Sequence, residues 1–207
     1  MEEGHVVTLA DCAQLEGLFG PKGMLTYADP RIAFIGRSNV GKSTLINAIL
    51  ERKWAFSSKT PGKTRAIHFY NAKHLGSIFV DLPGFGFARV SYQERKSWEK
   101  LLEQYFRYDT KLRLLCLIFD SRRSEMDLHV ADFCAKLGIP FIVIFSKYDC
   151  LKNQKLRAES QRHIASMKEA LSADELFLST FIVSSTTKDG IPALRAFIQK
   201  GRHGSDL

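Results

Sequence analysis

The chain is poor in the residues that staple or span. Its 207 residues hold four cysteines and six prolines. The cysteines, Cys12, Cys116, Cys134 and Cys150, are scattered, with no C-x-x-C pair and no histidine at zinc-finger spacing. That pattern excludes a disulfide framework and a structural zinc site, and reads as reduced thiols in a cytosolic protein. Long apolar runs are also missing: Leu114 to Phe119 and Ile139 to Phe145 are strand-length and far short of a membrane span. The opening MEEGHVVTLADC has neither a basic region ahead of an apolar core nor an Arg-rich amphipathic start. Secretion and organelle import are therefore not expected, and a cytoplasmic location is. No internal repeat, low-complexity tract or interdomain linker interrupts the chain, so one domain is the simplest account.

What is present is a composition of 45% hydrophobic and 25% charged residues, that of a globular protein able to bury a full core. The formal net charge of +8 favours an anionic partner, with RNA the leading candidate.

After about thirty residues without a clear pattern, short apolar runs alternate with longer amphipathic stretches. This predicts an α/β fold, a mostly parallel six-stranded sheet with helices on both faces. The expected strands are Arg31 to Ile35, Ala66 to Asn71, Ser77 to Val80, Arg113 to Phe119, Phe141 to Phe145 and Leu178 to Val183. The expected helices are Lys42 to Glu51, Tyr92 to Arg107, Asp127 to Leu137, Gln154 to Leu171 and Ile191 to Gln199. In the last, Ile191, Leu194, Phe197 and Ile198 recur at helical spacing and should pack on the sheet. Residues 1–30 are expected to be an extension packing on the main domain at 31–202, with a flexible tail at 203–207. Arg52 to Arg65 and Leu82 to Ser91 break the alternation as long loops.

Gly36-Arg37-Ser38-Asn39-Val40-Gly41-Lys42-Ser43 is a full G-x-x-x-x-G-K-S sequence between an apolar strand and the helical run that begins at Thr44. Gly36 and Gly41 let the backbone curl so that successive N–H groups face an anion, and the following helix adds its positive end. Lys42 would reach the β- and γ-phosphates and Ser43 would bind a magnesium ion. A glycine-rich turn is the plain alternative, set aside by flanks this well matched. The phosphates alone do not separate GTP from ATP. Asp81-Leu82-Pro83-Gly84 follows the apolar run Ile78 to Val80: Asp81 can hold the magnesium, and Gly84 can offer its N–H to the γ-phosphate.

Ser146-Lys147-Tyr148-Asp149, after the strand ending at Phe145, resembles the GTPase pattern N/T-K-x-D. That resemblance makes Asp149 the reader of the guanine edge and Lys147 the stem lying on the base. Ser146 departs from the usual Asn or Thr, yet its shorter hydroxyl should still tether neighbouring loops. Val183-Ser184-Ser185 looks like the last GTPase signature, whose backbone N–H meets the guanine O6; a helix cap or a turn is the alternative.

The lead Ile32 to Ser43, the loop Lys59-Thr60-Pro61-Gly62-Lys63-Thr64-Arg65, the stretch Asp81 to Ala88 and Asp120-Ser121-Arg122-Arg123 resemble the EngB (YihA/YsxC) family. These are bacterial ribosome-biogenesis GTP-binding proteins among the TrmE-Era-EngA-EngB-Septin-like P-loop GTPases. The resemblance runs from Pro30 onward and implies the Ras-like P-loop GTPase fold. Cys150 departs from the family's lysine after the base-reading aspartate. The resemblance maps the switch threonine, which joins magnesium and the γ-phosphate, to Thr64, with Thr60 the lesser choice. Gly62, Lys63 and Arg65 lie beside it; the two cations are phosphate or RNA contacts, or a solvated basic loop. Phe85 and Phe87 pack on the core or on a partner.

The metal set is thus Ser43, Thr64 and Asp81, and the catalytic set Lys42, Thr64, Gly84 and Asn39. Ras-like switches carry a water-orienting glutamine where this chain has Phe85, which cannot hydrogen-bond through its side chain, so slow intrinsic turnover is expected. Asn39 resembles the potassium-coordinating asparagine of translation-related GTPases that lack the glutamine; otherwise it only braces the P-loop. The resemblance implies a monomer whose GTP state binds the large ribosomal subunit or its precursor and is released after hydrolysis, with links to cell division and septation. The alternatives are a nucleotide kinase or metabolic ATPase, and a GTP-regulated module acting on a protein partner such as a division or membrane factor.

Overall fold

The computed structural model describes residues 4–9, 12–19, 29–55, 66–84, 92–122 and 136–200. Strands β1 (Gly4–Leu9), β2 (Arg31–Gly36), β3 (Ile67–Ala72), β4 (Ser77–Asp81), β5 (Leu112–Asp120), β6 (Phe141–Ser146) and β7 (Phe177–Ile182) form one sheet. Helices α1 (Cys12–Phe19), α2 (Lys42–Leu50), α3 (Tyr92–Tyr108), α4 (Gln154–Leu171) and α5 (Ile191–Lys200) connect and cover them. The sheet order is β1-β3-β4-β2-β5-β6-β7. Pairs β2–β4, β2–β5, β5–β6 and β6–β7 are parallel, while β1–β3 and β3–β4 are antiparallel.

The six expected strands are all present within one or two residues of their expected ends, and the expected α/β fold holds. The sheet gains a seventh strand, β1, from the segment expected only to pack against the domain. It runs antiparallel to β3 from Gly4↔Asn71 to Leu9↔Ile67. The helix expected over Asp127–Leu137 lies outside the described residues except for its end, where 136–138 form a turn. Residues 203–207 also lie outside them.

Strand alternation sorts the core onto two faces. Ala33, Ile35, Val80, Leu115, Leu117, Val143 and Phe145 meet Leu101 and Tyr105 of α3 and Ile164 and Met167 of α4. Ile32, Phe34, Phe79, Cys116, Ile118, Ile142 and Ile144 meet Leu45 and Ile49 of α2 and Ile191, Leu194 and Ile198 of α5. The apolar stripe of α5 therefore packs on the sheet as its spacing predicts, with Phe197 edge-on to Phe181 at 5.3 Å. Because both faces of the central strands are buried, those strands read as continuous apolar runs.

A charged residue opens β2 inside this core. Arg31, only 1% exposed, pairs with Asp109 through Nη1 and Oδ1 at 2.8 Å. The Tyr105 hydroxyl donates to the other Asp109 oxygen at 2.8 Å, and Lys111 N–H adds a third bond at 3.1 Å. The Arg31 guanidinium lies 5.2 Å from the Phe19 ring centroid, which fixes the end of α1 over the same cluster. Burial pushes the Tyr105 hydroxyl well above its ordinary range, so it stays a donor.

Candidate nucleotide site

The strand order reverses at β2, with β4 on one side and β5 on the other. In an open α/β sheet such a switch point opens a crevice at the carboxyl ends of the strands. The four sequence motifs stand at or just past the ends of β2, β4, β6 and β7.

The phosphate loop leaves β2 at Gly36, where a Cβ would stand 2.6 Å from the Ile118 carbonyl, so only glycine fits against β5. Asn39 (φ 63°) and Gly41 (φ 98°) both adopt the left-handed region, which turns the loop back on itself ahead of α2. Val40 is buried beneath it, while Arg37 and Ser38 are half-buried and Asn39 is exposed. Thr44 is exposed in the first turn of α2.

Lys42, Ser43 and Asp81 converge. Lys42 is buried and ion-paired to Asp81 Oδ1, and Ser43 Oγ donates to Asp81 Oδ2 at 3.1 Å. Beyond Asp81, Leu82 N–H bonds the Phe34 carbonyl at 3.1 Å, and Leu82, Pro83 and Gly84 are all buried. Gly84 thereby abuts Ser38 of the phosphate loop. Upstream, the Asn47 side chain exchanges two 2.7 Å hydrogen bonds with the Ala55 backbone and anchors the chain where it leaves α2. The expected residues Thr60, Gly62, Lys63, Thr64, Arg65, Phe85 and Phe87 lie outside the described residues.

The loop expected to read the base is tied to the phosphate loop. Ser146, 2% exposed, places its hydroxyl 2.7 Å from the Val40 carbonyl and 3.0 Å from that of Phe119. The shorter side chain thus still makes the expected tether. Ser121 returns a bond from its hydroxyl to the Ser146 carbonyl at 2.6 Å, reinforced by its own N–H at 3.0 Å. Lys147, in the left-handed region at φ 59°, donates through Nζ to the Asn39 carbonyl. Tyr148 N–H reaches the Val183 carbonyl at 3.4 Å, joining this loop to the end of β7. Asp149 is exposed at the rim.

Past β7, Ser184 N–H donates to the Asp189 carbonyl at 3.0 Å, and its hydroxyl accepts from Thr187 N–H at 3.0 Å. Ser184 therefore holds the turn, and any base-facing amide falls to Ser185 or the residues after it. Two residues singled out only as part of a string, Asp120 and Ser121, belong to this network. The signal available for them was their place at the end of β5, beside the strand that carries the base-reading motif.

A family model described as "50S ribosome-binding GTPase" matches residues 31–147. The chain is 39% identical over 188 residues to the probable GTP-binding protein EngB of Syntrophomonas wolfei, covering 89% of this chain and 93% of that protein. The chain belongs to the EngB family. Its likeness to the EngB of Thermotoga maritima is 45% over 136 residues, covering 64% of this chain and 68% of that one. The crystal structure of a probable GTP-binding protein EngB matches 83% of this chain and all of that chain, with TM-score 0.59 and 27% identity. Aquifex aeolicus Era, solved bound to GDP·AlF4−, matches with TM-score 0.64 over 82% of this chain and 56% of that one. At 23% identity, Era bears on the fold alone. The chain thus carries the GTPase domain of EngB proteins on a P-loop GTPase fold. Among the described residues no helix is long and apolar enough to cross a membrane.

Proposed function

We propose that this EngB-family chain is a magnesium-dependent GTP switch that binds the large ribosomal subunit or its precursor in the GTP state and leaves after hydrolysis. The observation that carries the reading is the joining of two loops. Lys42, Ser43 and Asp81 meet at one point, and Lys147 and Ser146 tie the base-reading loop to the phosphate loop beside it.

Ser43 Oγ and Asp81 Oδ2, 3.1 Å apart, are hard oxygen donors suited to magnesium, and Thr64 is the proposed third ligand. Held by these residues, the ion would supply positive charge that offsets the negative charge developing on the transferred phosphoryl group. The Lys42 ammonium is screened less in its buried position than in water, so it stabilises the same charge more strongly. N–H groups of Gly36 to Ser43 line the phosphates, Gly84 N–H serves the γ-phosphate, and Asp149 takes the guanine edge. Thr64 and Gly84 would order the two switch loops while the γ-phosphate is present and release them on its loss.

Phe85 follows Gly84 in place of a water-orienting side chain, which supports slow intrinsic turnover. Asn39, exposed at the crest of the phosphate loop, offers an amide oxygen for a potassium ion in compensation. Equal turnover on the ribosome in sodium and potassium would remove that ion from the scheme. The net charge of +8 and the family description support a ribosomal partner.

Calorimetry with magnesium, titrating GDP, a non-hydrolysable GTP analogue and ATP against wild type and Asp149→Asn, tests the base reading. Guanine-only binding that the substitution abolishes is expected; equal ATP binding would overturn it. Pelleting with large subunits should then depend on the GTP analogue. Guanine-selective binding without pelleting would favour a protein partner instead.

A further inference from the structure

Asp120 ends β5 at the rim of the site, paired in register with Ser146 of the base-reading loop. None of the roles above uses its carboxylate. Two cations meet there. Arg122 approaches side-on, Nε to Oδ1 at 2.9 Å and Nη2 to Oδ2 at 2.7 Å, with its own N–H on Oδ1 at 3.1 Å. Lys147 Nζ lies 3.4 Å from Oδ2.

Lys147 is the side chain whose position matters most for a base. The left-handed backbone at φ 59° sends it back across the phosphate loop, where its Cε would lie 3.5 Å from a Cβ on Gly41. Its stem thus spans from the end of β6 to the Asn39 carbonyl. A four-carbon chain loses roughly 2 kcal/mol of rotamer freedom when held straight. One neutral carbonyl on an exposed loop is a weak anchor for it. A second, charged anchor on the rigid end of β5 turns the stem into a fixed strut.

We propose that Asp120, itself oriented by Arg122, is a positioning residue for nucleotide binding that holds Lys147 across the phosphate loop. This rests on the guanine-binding reading above. Partial burial pushes the Asp120 carboxyl up, but the Arg122 hydrogen bonds and the Lys147 charge outweigh it and hold the group below the ordinary aspartate range. It therefore stays ionised wherever the protein is folded near neutral pH.

Magnitudes separate this role from a structural one. A pair as open to solvent as Asp120 and Lys147, 24% and 30% exposed, adds little to stability. Its value lies in pre-ordering the stem before a base arrives, which appears in affinity. The test is a double-mutant cycle on the full chain, with Asp120→Asn, Lys147→Met and both, reading the GDP and ADP dissociation constants and the urea midpoint of each variant.

Asp120→Asn should weaken GDP binding about fivefold to tenfold with a near-unchanged urea midpoint. In the Lys147→Met background the same substitution should change affinity by less than about twofold. Additive losses, or an unchanged GDP constant in Asp120→Asn, overturn the role of Asp120 while guanine selectivity of the wild type stands. A wild type that binds ADP as well as GDP overturns the guanine reading, and this proposal with it.

Discussion

Gly84 stands directly against Ser38: a Cβ on Gly84 would lie 3.0 Å from both Ser38 N and Ser38 Oγ, and 3.1 Å from its Cα. The loop after β4 and the phosphate loop are thus so close that a methyl group on Gly84 would have to push Ser38 aside by a few tenths of an ångström. Gly84→Ala must displace the phosphate-loop backbone, because the atoms in the way belong mostly to main chain. We expect a loss of about 1–3 kcal/mol in stability from overpacking. Single-turnover GTP hydrolysis should fall more than tenfold, since the shift would move the amides proposed to line the phosphates. Urea denaturation and quenched-flow hydrolysis read the two effects.

Asp81→Asn probes the neighbouring pair. The change leaves the Lys42 ammonium buried beside a neutral amide. Removing one partner of a buried ion pair costs about 3 kcal/mol or more. Nucleotide affinity should also lose its dependence on magnesium, which calorimetry with and without chelator would report. A variant as stable as wild type would show that the pair is not held in solution.

The Asp109 cluster should respond in a definite order. Asp109→Ala removes the carboxylate paired with the buried Arg31 and should cost about 3–5 kcal/mol. Phe19→Ala removes an edge contact to Phe69 and a tilted ring contact to Tyr105, each at 6.3 Å, and the ring beneath Arg31, for about 2 kcal/mol. Tyr105→Phe loses one hydrogen bond, for about 1 kcal/mol. Equilibrium denaturation of the three variants checks the order.

Ser146→Ala removes a side-chain oxygen that reaches both the Val40 and the Phe119 carbonyl. The two carbonyls lose a buried donor, so about 1–2 kcal/mol of stability should go, and GDP binding should weaken about tenfold as the loops separate. Ser146→Thr, which keeps the hydroxyl, should restore the affinity.

The acid limb of stability should carry the mark of Asp120. Its folded-state pKa lies below the ordinary aspartate value, so the ionised carboxylate stabilises the fold at pH above that ordinary value. The contribution is lost as pH falls through the depressed folded value. Because the pair is open to solvent, the stability difference between wild type and Asp120→Asn should be small, flat above the ordinary aspartate value of about 4, and lost below it. Urea midpoints from pH 7 to pH 3 would show it.

The strands, and the places of the motifs at their ends, were legible because both are written locally. An apolar run such as Phe141 to Phe145 has few other fates, and Gly36 to Ser43 carries its own flanks. The stretch Gly4–Leu9 was not read as a strand because its partner, β3, is antiparallel and distant, and alternating strands and helices do not require such a pairing. The reach of Lys147 to Asn39 was hidden for a different reason, since it depends on one residue with φ 59° that is neither glycine nor asparagine. Asp120 and Ser121 sit in a string that a turn would also use, and only the register of β5 with β6 brings them beside Ser146.

The position of β1 has a consequence for how the chain is made. Among the described residues it precedes the other strands of the sheet, yet its one partner there is β3, which follows the phosphate loop, α2 and residues 56–65. A pairing this distant along the chain closes slowly. The central strands β2, β4 and β5 can associate without it. The edge of β3 is therefore expected to stay open until β1 pairs with it. Amide exchange at β3 should therefore report completion of the fold, with protection arriving there later than at β2 and β5.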